Sequence, residues 1–167
     1  MESRVKLLGR KAGPVLFQLP GNFKADPERL RQFIKMLPRR RQYAIEFRHS
    51  SWYIDLVFEL LLENNISLCL ADHHQAPAPW LATASHVYVR GHGPDGRYRD
   101  NYSDATLRQW SRRIMKWHGE GRSIHVYFDN DQKSAAPADA QRLCGLLQAR
   151  GFRRCRAVGE HRLLRAL

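Results

Sequence analysis

Five short apolar runs, each leading into polar residues, constrain what this chain can fold into more than any other feature. Val15-Leu16-Phe17 ends at Gln18, and Tyr43-Ala44-Ile45 ends at Glu46, with Arg48 and His49 just beyond. Leu68-Cys69-Leu70 leads to Asp72, and Val87-Tyr88-Val89 leads to Arg90 and His92. Val126-Tyr127-Phe128 ends at Asp129 and Asn130. Amphipathic helical stretches follow most of these runs. Parallel strands joined by helices place all their C-terminal ends on one rim, so these polar groups are expected to converge there. The pattern predicts an α/β chain built on a parallel βα sheet with about five strands and four helices.

The helices are marked by their ends. Asp26 is a good N-cap, with Pro27 at the first helical position and Glu28 at the positive end. Leu30, Phe33, Ile34 and Leu37 then recur at helical spacing, and Pro38 stops the run. Residues 53–64 read as a helix with Ile54, Val57, Phe58, Leu61 and Leu62 inward, ended by Asn64-Asn65. Ser103 caps a helix that places Leu107, Trp110, Ile114 and Trp117 on one face. A last helix runs from about Pro137 to Arg150, and residues 152–158 can add a short strand. Residues 73–85, with His73-His74 and three prolines or tryptophans after them, carry no helical pattern. A closed (β/α)₈ barrel takes roughly 200 to 250 residues. The 167 residues here therefore form either an open sheet or part of a barrel.

Domain organisation reads as a polar lead-in over residues 1–13, one α/β domain over 14–158 and a basic tail over 159–167. No apolar run approaches the roughly 20 residues of a membrane span, so a membrane location is not expected. The start of the chain lacks an apolar leader, and Cys69, Cys144 and Cys155 show no metal-ligand spacing. Three reduced thiols in a cytoplasmic protein are the simplest expectation. A formal net charge of +12 favours anionic partners, either an anionic small molecule or nucleic acid. The charge is densest at Arg39-Arg40-Arg41 and from Arg150 onward, where solvated helix ends and a loose tail are the simpler explanation.

Phe17-Gln18-Leu19-Pro20, Glu46-Phe47-Arg48-His49 with Trp52, Tyr88-Val89-Arg90 with His92-Gly93, Tyr98 and Tyr102, and Phe128 with Asn130 occur in this order. Together they resemble the YecE-like family, also called domain of unknown function seventy-two, from about Pro14 to Leu147. The resemblance implies a TIM-barrel-like fold, here an incomplete one lacking the family's N-terminal third. It does not imply a known reaction. The chain departs from the family pattern at Gly91, where a leucine is usual, at Asp129, where an asparagine is usual, and at Asp139, also a common asparagine position. A missing set of strands leaves a sheet edge, which a homodimer can cover.

The candidate site follows from the strand ends. Glu46, Asp72, His92 and His49 are the residues suited to acid–base catalysis, with Asp129 as a further carboxylate. Such groups also bind a divalent metal, so a metal cofactor is left open. Arg48 and Arg90 can fork an anion, and Gln18, Tyr98, Tyr102 and Asn130 can bond its oxygens, with Trp52 available to stack a ring. Equally, Glu46 can pair with Arg48 or Arg90 in a purely structural network, and the tyrosines and Trp52 can pack a loop or plug the barrel top. The functional alternatives are an enzyme acting on an anionic or phosphoester substrate at the rim, a basic nucleic-acid-binding module, and a truncated inactive fragment. No Walker loop, nucleophile elbow or paired-cysteine motif is present.

Overall fold

The computed structural model describes residues 13–152, which fold as a parallel half-barrel. The strands are β1 (Val15–Gln18), β2 (Tyr43–Glu46), β3 (Ser67–Ala71), β4 (His86–Gly91) and β5 (Ser123–Phe128), adjacent in chain order. Every neighbouring pair is parallel, as the alternation of apolar runs and helices requires. The helices are α1 (Pro27–Lys35), α2 (Asp55–Glu63), α3 (Asp104–Gly119) and α4 (Ala135–Gln148). The expected extra strand at 152–158, the basic tail and nearly all of the lead-in lie outside the described residues.

Local chemistry sets the helix boundaries. The Asp26 carboxylate accepts from Arg29 N at 2.9 Å, and Ser103 Oγ accepts from Thr106 N at 3.1 Å, so both expected N-caps form. Asn65 ends the second helix in the left-handed region at φ 51°. Three details differ from expectation. The last helix starts at Ala135, before Pro137, because a short turn over Gln132–Ser134 feeds directly into it. In α2 the buried residues are Val57, Leu60 and Leu61, whereas Ile54 and Leu62 are exposed. Ile54 sits at the cap position with an extended backbone, outside the helical repeat that predicted it inward. Cys69 is a buried free thiol, whereas Cys144 is disulfide-bonded, so the expectation of reduced thiols fails there.

Alternation along the strands builds two faces. Ile45, Leu68, Leu70, Val87 and Val89 point outward into the main core, against Leu60 and Leu61 of α2 and Leu107, Trp110 and Ile114 of α3. The inner face carries Ala44, Cys69, Ala71 and Tyr88 with Leu16 beside them. Small residues there let the sheet curl tightly. Gln18 at the end of β1 consequently reaches Arg90 of β4, at 3.1 Å.

Gly91 stands where the packing leaves no room for a side chain. A Cβ there would lie 2.8 Å from Tyr102 Oη and 3.0 Å from both Phe128 and Trp110, aromatic groups that already fill the space. We predict that Gly91→Ala loses about 1–3 kcal/mol of stability through overpacking, read by urea denaturation. An unchanged midpoint would contradict the packing.

Candidate functional site

Gln18, Glu46 and Arg90 all occupy the inner face at or beside the strand C-termini, and Asp72, His92 and Asp129 follow directly after strands. Glu46 is fully buried at their centre. One of its carboxylate oxygens, Oε1, accepts from Arg48 Nε, and the other, Oε2, accepts from Arg90 Nη1 at 2.8 Å. Arg48 continues the network, donating to Tyr98 Oη at 2.6 Å and Gln18 Oε1 at 3.1 Å. Arg90 donates to Asp129 Oδ2 at 2.6 Å.

His92 is buried against this lattice, with its Nε2 3.2 Å from Arg48 Nη2. A guanidinium has only donors, so Nε2 must be the acceptor and Nδ1 carries the hydrogen. Nδ1 lies 3.4 Å from Asp72 Oδ1, while that same oxygen accepts from the His92 backbone N–H at 2.6 Å. Tyr102 Oη donates to Asp72 Oδ2 and accepts from Gly93 N at 2.7 Å, so both Asp72 oxygens are placed from outside the strand. Burial, together with the Asp72 carboxylate, keeps the Tyr102 phenol firmly protonated. The connection after β4 folds close over the rim. Gly96, at φ 69°, packs where a Cβ would collide with the backbone of Asp72 and His74.

The candidate residues do not all gather. Gln18, Glu46, Arg48, Asp72, Arg90, His92 and Tyr98 meet in one bonded group, with Tyr102 bracing it. His49 stands apart, its Nδ1 engaged with Ser51 Oγ at 2.8 Å and Ser51 N at 3.2 Å, where it caps the Ser50–Trp52 turn. Trp52 is buried, stacked on Phe47 with ring centroids 4.7 Å apart, and its indole N–H donates to Phe23 O at 2.7 Å. That places it in the core with no ring face open to a substrate. Asn130 turns away from the rim, donating to Asp100 O at 2.7 Å and Asp139 Oδ2 at 2.8 Å. Asp139 also accepts from Tyr102 N at 3.0 Å, so the residue found in place of the common asparagine holds the loop before α3.

Sequence reasoning passed over His73. It is buried, with its ring 5.4 Å from that of His92 and 5.9 Å from Tyr98, both edge to face. Its position after Asp72 was visible, but an irregular loop gave no periodicity to show which way it points. Burial first, then the positive charge of Arg48 and the neighbouring histidines, pulls the His73 pKa down to about 4, against a smaller pull from Glu46. Burial likewise lowers His86 and His125. Arg90 behaves oppositely: burial works against its charge, but the hydrogen bond and field of Glu46, with Asp129, raise its pKa above the ordinary value.

These histidines set a pH dependence. The unfolded chain binds their protons near pH 6.5, whereas folded His73 waits until about pH 4. Stability is therefore full above pH 6.5 and falls as the pH drops through that window, by about 3 kcal/mol from His73 alone. Thermal unfolding is expected to show a midpoint flat above neutrality and declining from pH 6.5 to 4. A midpoint constant down to pH 4 would contradict this.

The acidic groups fit a metal poorly as arranged. Both Glu46 oxygens are occupied by guanidinium donors. Asp72 addresses Nδ1 of His92, while Asp129 Oδ2 lies 3.7 Å from Nε2, on the other side of the ring. These three side chains cannot share one ion in this arrangement. Among the described residues, no group of three or more His, Cys, Asp or Glu side chains is placed to hold one. No helix among them is long and apolar enough to cross a membrane.

The profile of the family described as "Protein of unknown function DUF72" matches residues 1–160. The chain belongs to the DUF72 family. A crystal structure of a DUF72 family protein from Thermotoga maritima has a TM-score of 0.78 and 23% identity over 88% of this chain. One from Enterococcus faecalis has a TM-score of 0.74, also with 23% identity over 88%. These likenesses show a shared TIM-barrel-like fold. The present DUF72 chain spans 64% and 63% of those two proteins' lengths. No curated protein matches it.

Proposed function

We propose that the strand-end rim is the active site of an enzyme that uses His92 for acid–base chemistry on an anionic small molecule, with phosphoesters the first class to test. One observation carries the reading: a fully buried Glu46 ion-paired to two arginines beside a buried histidine. Burying so many charges does little for stability, and such constellations concentrate at functional sites.

The roles differ from those first expected. Glu46 anchors Arg48 and Arg90. His92 carries the proton, and Asp72, placed by Tyr102, faces the ring nitrogen that bears the hydrogen. Arg48, engaged on all three nitrogens, fixes His92 and Gln18. Arg90 remains the group able to meet an anion.

The tribasic Arg39–Arg41 segment lies between α1 and β2, at the strand N-termini. It does not share a surface with the rim, which disfavours one nucleic-acid face built from both. The test is turnover of a panel of phosphate mono- and diesters by the wild type beside His92→Ala, with folding of the variant checked by thermal unfolding. Turnover that needs His92 supports the proposal; equal rates overturn it.

A further inference from the structure

We infer that the rim's ligand is a phosphate monoester of a ring-bearing group, held by Gln18, Arg90 and Tyr127; this deepens the acid–base reading of the same rim and rests on it. The first step is the orientation of Gln18. Arg48 Nη2 and Arg90 Nη1 both approach its Oε1 at 3.1 Å. Guanidinium groups only donate, so the atom facing them must be the oxygen, and the amide cannot be flipped. The Gln18 NH₂ is then directed away from both arginines, on an exposed residue.

The second step is a donor count on Arg90. Its two Nη1 hydrogens go to Gln18 and Glu46, and one Nη2 hydrogen goes to Asp129. Its Nε–H and second Nη2–H have no partner among the described residues. Together with the Gln18 amide, the rim offers four open N–H donors. A carboxylate has two oxygens to meet them, whereas a phosphate monoester has three non-bridging ones. Asp129 partly cancels the Arg90 charge, so the neutral amide donors of Gln18 matter to anion capture.

The third step is a ring surface beside these donors. Tyr127 lies opposite Arg90 in the β4–β5 register, on the same face of the sheet. One face of its ring stacks on Tyr88, centroids 4.9 Å apart at 27°, and the residue stays 45% exposed. An exposed tyrosine already supported by a second aromatic is suited to stacking a ligand ring.

The test is calorimetric titration of inorganic phosphate, phenyl phosphate and benzoate into wild type, Tyr127→Ala and Gln18→Glu. Thermal unfolding of each variant establishes that it is folded. Phenyl phosphate is expected to bind wild type about tenfold tighter than inorganic phosphate, and tighter than benzoate. Tyr127→Ala is expected to bring phenyl phosphate and inorganic phosphate within about twofold of each other. Gln18→Glu turns the donors into a carboxylate facing the ligand, and is expected to weaken both phosphates by at least about tenfold. Absence of saturable phosphate binding, benzoate matching phenyl phosphate, or either variant behaving as wild type overturns the inference. Those results alongside His92-dependent turnover of another substrate remove only the ligand class. Phosphate binding intact with turnover independent of His92 removes the acid–base reading instead.

Discussion

Glu46→Gln is expected to lower the folding stability by about 3–5 kcal/mol, measured by urea denaturation at pH 7. The substitution keeps the shape of the side chain, so no cavity is made. What it removes is the only charge held between Arg48 and Arg90, which are mostly buried and have lost much of their hydration. Arg90 keeps Asp129, but Arg48 is left with Tyr98, Gln18 and His92, all neutral in this arrangement. An unpaired buried charge costs far more than an exposed pair contributes, so Asp95→Ala, which breaks the solvent-exposed Arg99 pair, is the control expected to show no measurable change. A loss below about 1 kcal/mol for Glu46→Gln would mean that the central network is open to water.

His92→Ala is expected to reduce kcat/KM on whatever substrate the panel identifies by about 10² to 10⁴, the usual range for one acid–base group. Stability also falls, because removing the buried ring leaves a cavity, so thermal unfolding establishes that the variant is folded before rates are compared. Asp72→Asn separates position from chemistry. It retains an oxygen for the His92 backbone N–H and removes the charge near Nδ1, while the new NH₂ donates to Tyr102 Oη in place of the bond that oxygen made to Asp72. The expected result is a loss in kcat larger than that in KM, since Asp72 acts on the imidazole and not on the ligand. A His92→Ala enzyme as fast as wild type would return the rim to a structural ion network.

The sheet was legible because each strand combined a short apolar run with a polar end, and two of the four helices began at a side chain that caps them. Asp26 and Ser103 needed no tertiary information. Convergence of Gln18, Glu46, Arg90 and His92 was legible for the same reason: parallel βα topology sends strand C-termini to one side. Direction after the strand end was not. His49, Trp52 and Asn130 also follow strand ends, at one to five residues more than the single step from β4 to His92, and local turns rotate them into a cap, the core and a loop anchor. His73 and Tyr127 were missed for complementary reasons. His73 sits in a loop without periodicity, and Tyr127 reads as any strand tyrosine until the register puts it opposite Arg90. The division of labour between the arginines was also out of reach, because counting donors requires knowing every partner.

The most direct test of a shared rim is a histidine-selective ¹⁵N NMR spectrum, with the His92 signals assigned by comparison with His92→Ala. If Arg48 reaches His92 across the strand ends, Nδ1 shows the shift of a protonated pyrrole-type nitrogen and Nε2 that of a hydrogen-bond acceptor, and Arg48→Lys disturbs Nε2 first. A hydrogen found on Nε2, or a spectrum indifferent to Arg48→Lys, would contradict the arrangement.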